Sequence, residues 1–322
     1  FLDYTKRAPE AETQFKKAIE VENANIEARE TLAKFYVSQK QLEKAETVYQ
    51  DLVKIQENSP ESRLQLAEFY SSVKREDDAI AALTQIISEK SEYVRARYRL
   101  GEIYLNRKEY AKVNEQTDAL LKLNDNDAEA LMLRARVALQ ENRAEDAIKN
   151  LEDILKKQPS NKEALFYMTQ ARLALGQIDQ ARAFIGDLEK YHPNYLKTRI
   201  LKIQASFQNG EAENALRGAN ELLEILKTAL PTADETIGNL EELRLRALSA
   251  RGLAYLELGK LTEARADLQE IVRVSPESSS ALVNLAKVAA AEKKLPEALE
   301  LYEKALTLDN KNFDALSGAV MI

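Results

Sequence analysis

The sequence predicts an all-α protein, a solenoid of antiparallel helix pairs stacked one behind the next, and three observations carry that expectation. A small residue recurs every 34 positions, at Ala11, Ala45, Ala79, Val113, Ala147, Ala181 and Ala215, and after a break at Ala264 and Ala298. All 7 prolines fall outside the interiors of the helices that this register implies, as the missing N–H and the fixed φ of proline require. Only 9 glycines occur in 322 residues, and Ala, Leu, Glu and Lys dominate, a mixture that favours helix nearly everywhere. A fixed period of this length marks a repeat architecture, whose core grows along one axis, so the chain need not split into two globular domains.

In chain order, residues 1–25 read as a partial repeat, because Ala11 is already the anchor of a second helix. Pro9 sits two positions earlier, in the first turn, where a lost N–H costs nothing. Six complete units follow over 26–229, namely 26–59, 60–93, 94–127, 128–161, 162–195 and 196–229. Twelve residues before each anchor, in the first helix, stand Ala33, Ala67, Gly101, Ala135, Thr169 and Ile203. Small side chains here let the two helices of a unit cross closely, and the larger Thr169 and Ile203 imply a wider crossing in the middle units. Tyr36, Tyr70 and Tyr104 fill the gap beside the crossing, where Ala138, Arg172 and Ser206 stand later. Pro60 opens a first helix behind Ser59. Gly176, Gly210 and Gly259 fall in the turn between the paired helices, where φ > 0 is expected. Pro159, Pro193 and Pro276 mark where second helices must stop.

Residues 230–244 interrupt the register. Thr232 or Asp234 is placed to cap a new helix, and Asn239 to Leu258 reads as one long first helix. Gly186 and Gly218 lie inside second helices just upstream, at a cost of about 1 kcal/mol each against Ala. Close packing is the expected reason for the glycines, and a change of superhelical curvature for the insertion. Two units resume over 245–278 and 279–312, with Gly252, Tyr255, Ala286, Ala289 and Pro296 in register. Residues 313–322 begin a further, truncated repeat with Phe313-Asp314-Ala315-Leu316. A start on Phe1 and no polar capping helix lead to the expectation of a piece of a longer array.

This pattern resembles the tetratricopeptide repeat, a 34-residue helix–turn–helix unit, over nearly the whole chain. The family's early first-helix Trp is absent, and Leu131, Leu165, Leu248 and Leu282 stand at its site. The resemblance implies a right-handed superhelical solenoid that binds proteins or peptides along a concave groove lined by first helices. The second, fifth, ninth, twelfth and thirteenth positions of each unit would point into that groove. From the third unit to the sixth, the fifth and twelfth positions are all apolar: Tyr98, Leu105, Met132, Leu139, Phe166, Leu173, Ile200 and Phe207. An exposed apolar stripe would accept an amphipathic helix or an extended peptide; the competing reading is that these side chains cover neighbouring helices. Arg95, Arg99 and Arg136 flank the stripe, either to hold acidic groups of a ligand or to pair with Glu102 or Glu129. Chaperone-binding members of the family grip a C-terminal carboxylate with Lys at a fifth position and Asn at a ninth. The equivalent sites here begin with Glu30 and Lys34 and continue with Gln65, Arg95 and Arg99, so carboxylate-clamp binding to chaperones is not expected.

A search for chemistry yields no catalytic, cofactor or metal site. There is no Cys, which removes disulfides, thiolate metal ligands and Cys nucleophiles. His192 is the sole histidine, beside Pro193 in a turn. Gly259-Lys260 lacks the Ser/Thr of a phosphate loop, and Asp309 to Asp314 lacks the Gly and Glu of a calcium loop. The formal net charge of −7 argues against a general nucleic-acid binder. No apolar run reaches 18 residues, so no membrane span is expected. The reading is a non-catalytic scaffold for a protein or peptide partner. By analogy with similar arrays it belongs to a bacterial cell-envelope, secretion or exopolysaccharide-export assembly, in the periplasm or envelope, with the cytoplasm as the other location. A regulatory region of a larger enzyme and an RNA-binding helical repeat are the alternatives.

Overall fold

Turns and caps that recur at fixed positions set where each helix starts and stops. The computed structural model describes residues 8–231 and 236–322, and every regular element among them is an α-helix. The chain divides at Val137/Ala138 into two compact units. The first holds α1 (Ala8–Val21), α2 (Ile26–Ser38), α3 (Leu42–Ile55), α4 (Pro60–Ser72), α5 (Glu76–Glu89), α6 (Val94–Asn106), α7 (Tyr110–Leu123) and most of α8 (Ala128–Gln140). The second continues with α9 (Ala144–Lys157), α10 (Lys162–Ala174), α11 (Ile178–Tyr191), α12 (Lys197–Gln208), α13 (Ala212–Thr228), α14 (Ile237–Glu257), α15 (Leu261–Val274), α16 (Ser279–Ala291), α17 (Leu295–Leu308) and α18 (Phe313–Met321).

Each short-linked pair closes through the same Schellman turn. After α2, the Gln41 N–H reaches the Tyr36 carbonyl at 2.9 Å and the Lys40 N–H reaches Val37 at 3.0 Å, the paired bonds that satisfy a helix's last carbonyls. The residue between must be left-handed. Gly176, Gly210 and Gly259 have φ of 67°, 71° and 71°, as their position implied, and Lys40, Lys74, Lys108, Asn142 and Lys293 take the same conformation with φ from 57° to 64°. First helices start on side-chain caps: Asn25, Ser59, Asp127, Asn161, Ser278 and Asn312 each accept an N–H from three residues on. Asn312 also explains the acidic stretch before α18 as a capped polar turn. The first helices α6 and α12, which begin after Tyr93 and Leu196, have no such side-chain cap.

In the first unit the anchors Ala45, Ala79 and Val113 are fully buried in a core that also holds Leu52, Leu83 and Ile86. Tyr36 and Tyr70 fill the gap beside their helix crossings and donate to Glu12 and Glu46, each at 2.9 Å. In the second unit Ala147, Ala181, Ala215, Ala264 and Ala298 are equally buried. Thr169 fits by donating its hydroxyl to the Leu165 carbonyl at 2.8 Å. Ile203 fits because Gly218 faces it: a Cβ on Gly218 would lie 3.0 Å from Ile203 Cγ1. Close packing therefore accounts for Gly218. It does not account for Gly186, where an added Cβ would meet nothing within 4 Å.

The interruption lengthens two helices. α13 has 17 residues and α14 has 21, against 14 in α15 and 13 in α16. Thr236 caps α14, accepting from the Asn239 N–H at 3.2 Å, whereas the candidate caps Thr232 and Asp234 lie outside the described residues. Among the described residues no helix is long and apolar enough to cross a membrane.

Candidate functional site

The first helices present the side chains singled out for partner binding. In the first unit, α6 and α8 carry six of them. Tyr98 is half-buried, and its hydroxyl donates to Asp127 at 2.5 Å. The other oxygen of the same carboxylate caps α8 through the Ala130 N–H at 2.9 Å, so Tyr98 is fastened to the first turn of the next first helix. Burial, and then the Asp127 carboxylate, raise the Tyr98 phenol well above its ordinary range. Met132 is half-buried, while Leu105 is 7% exposed and belongs to the core. Arg95 is exposed. Arg99 lies 3.0 Å from Glu68, and Arg136 lies 2.6 Å from Glu102. Two of the three arginines thus engage a glutamate of the preceding first helix, making ionic rungs between repeats.

In the second unit Leu139 and Phe207 are half-buried at the ends of their helices, where their carbonyls accept from Asn142 at 3.1 Å and Gly210 at 2.9 Å. The other three sit in the core: Phe166 is 9% exposed, Ile200 8% and Leu173 1%. Phe166 packs edge-on against Tyr167 and Tyr195, with ring centroids 5.2 and 5.9 Å apart, a geometry that suits the ring quadrupoles. Leu105, Phe166, Leu173 and Ile200 therefore cover neighbouring helices, and the stripe is not continuously exposed. Tyr98, Met132, Leu139 and Phe207 keep apolar surface available to a ligand.

Sequence reasoning named Glu102 as a pairing candidate but missed Glu68, Asp127 and Tyr195. Their signal is the register itself: Glu68 and Glu102 occupy the same position of consecutive repeats. His192 is half-buried, and its Nε2 lies 2.6 Å from the Ser160 carbonyl, so that nitrogen carries the proton.

Three family models match the chain. Two described as tetratricopeptide repeat cover residues 138–206 and 249–314, and one described as the tetratricopeptide repeat protein 21 ARM repeat covers 2–117. No curated protein matches. Among solved structures, a tetratricopeptide repeat protein from Parabacteroides merdae superposes with a TM-score of 0.67 at 14% identity, over 81% of this chain and 98% of that one. The anaphase-promoting complex (APC/C) heterotetramer Cut9–Hcn1 superposes with a TM-score of 0.67 at 11% identity, over 94% of this chain and 57% of that one. Both are similar in fold.

Proposed function

The chain belongs to the tetratricopeptide repeat family, and we propose that it is a non-catalytic scaffold that holds a protein or peptide partner on the face of its first helices. The observation that carries this reading is the partial exposure of Tyr98 on α6 and Met132 on α8, with the exposed cation Arg95 three residues before Tyr98 on α6. Such a surface suits a ligand with apolar anchors and an acidic group. Leu139 and Phe207 make the corresponding contacts in the second unit, while Leu105, Phe166, Leu173 and Ile200 hold the helices that present them. Arg99 and Arg136 reach a ligand by exchanging Glu68 and Glu102 for its acidic groups. Six units over 26–229, the 230–244 insertion and two units over 245–312, with partial repeats at 1–25 and 313–322, form part of this proposal. The Cut9–Hcn1 structure, in which a similar fold sits within a heterotetramer, supports the scaffold reading. A place in a bacterial cell-envelope, secretion or export assembly follows from analogy of fold alone.

The test is affinity capture from the source organism with the parent chain and with Met132→Glu and Arg95→Glu. These positions are preferred to Phe166, where a buried glutamate would destabilise the fold itself. A partner retained by the parent and reduced about tenfold by either variant, a loss of about 1.4 kcal/mol, is the expected outcome. Equal recovery by all three counts against the proposal.

A further inference from the structure

The insertion contributes one wall of a pocket. Because α13 and α14 both run long, Ile225, Ala229, Leu230 and Leu240 stand opposite the turn from His192 to Leu196 and enclose a cavity of about 640 Å³. Lys162, at the start of α10, and Arg199, in the first turn of α12, complete the lining. One wall is aliphatic, and the other carries Lys162, His192 and Arg199, with no carboxylate among the described lining residues. Tyr195 lies between them, with the Lys162 ammonium 5.4 Å from its ring centroid. The ion pair that Arg199 makes with Glu221 is long, 3.8 Å, between two exposed side chains, and such a pair contributes little. Leu230 is 80% exposed, so a large apolar side chain of the lining stays open to solvent.

A wholly apolar ligand would strip water from these cations without replacing it, and a small inorganic anion would leave the aliphatic wall wet. The chemistry that satisfies both walls is a carboxylate carried next to aliphatic side chains. The Asn194 amide and the turn backbone add hydrogen-bonding groups that a peptide main chain can use and a plain alkyl chain cannot. We infer that this pocket docks an acidic, aliphatic-rich peptide segment of a partner protein, at a site separate from the first-helix stripe and independent of it.

The test is selection of a random dodecapeptide phage library on the full chain. Enriched sequences are expected to place Asp or Glu beside Leu, Ile or Val. A synthetic peptide from the selection should then bind saturably and lose at least tenfold in affinity with Leu230→Asp and with Arg199→Glu, and it should be unaffected by Met132→Glu. Leu230 is exposed enough for its variant to fold, and unchanged helical circular dichroism verifies this for both. No enrichment, enrichment without acidic residues, or binding indifferent to both pocket variants would overturn the inference. Loss with Met132→Glu alone would assign the peptide to the first-helix stripe instead. Saturable binding of decanoate without any selected peptide would give the pocket to free carboxylic amphiphiles and overturn the peptide assignment.

Discussion

Lysine in a left-handed turn is the residue-level oddity of this chain. Lys108 has a φ of 59°, a conformation that costs a side-chain-bearing residue on the order of 1–2 kcal/mol and costs glycine nothing in sterics. Lys108→Gly should therefore raise stability by about 0.5–1 kcal/mol, less than the full strain because glycine also loosens the unfolded chain. Thermal denaturation checks it, and a lowered Tm would contradict it. Glycine at 176, 210 and 259 made this conformation legible, whereas lysine at the same register position gave no sign of it. A second residue-level prediction concerns Glu292. Arg265, at 2.6 Å, and then Lys294, at 2.8 Å, hold its carboxyl down to about 2. The folded value lies below the unfolded one, so the stabilisation is complete above roughly pH 5. It drains away as pH falls toward 2. Glu292→Gln should cost about 1 kcal/mol at pH 7 and nothing measurable at pH 2. An equal cost at both would exclude the linkage.

At the scale of elements, α18 packs on α17 through a close approach and is tied to α16 by the Lys287–Asp314 ion pair at 2.7 Å. Its one buried residue is Ala315, and a Cβ on Gly318 would come within 2.3 Å of Tyr302 Cζ. Gly318→Ala should push α18 off α17 at a cost of about 1–3 kcal/mol, seen as faster amide exchange over Phe313–Met321 with α10 and α11 unchanged. Unaltered exchange in α18 would show that Tyr302 can yield. Helix pairs were readable because capping and turn chemistry are local and repeat. The match between Ile203 and Gly218 was not, since it joins two helices and appears only when both are folded. Ile203 alone suggested a wider crossing; the glycine opposite accommodates it.

For the molecule as a whole, the governing fact is that substantial contacts within each unit join only helices adjacent or next but one in the chain. Stability in such an array is a sum of neighbour terms, and so is not uniform along it. Native-state hydrogen exchange should show graded protection, lowest in α1, which buries no residue, and in α18, and highest in α10 and α11. A single protection level throughout would indicate a cooperative block instead. The same short-range connectivity predicts fast folding for each unit.

The sequence by itself determined the family, the helix order, the turns and the residues at the helix crossings. Each is written in short-range chemistry repeated along the chain. Only the tertiary structure decided which candidate binding residues remain available. Leu173 and Met132 both read as apolar groove positions, yet the first is sealed between helices and the second keeps open surface. Arg136 read equally as a ligand anchor or as the partner of a glutamate, and in the fold it pairs with Glu102. The pocket beside His192 exists because two lengthened helices bring Leu230 and Leu240 opposite a turn more than thirty residues earlier. Exposure, pairing and cavities depend on what arrives from elsewhere in the chain, and a repeat period carries no record of that.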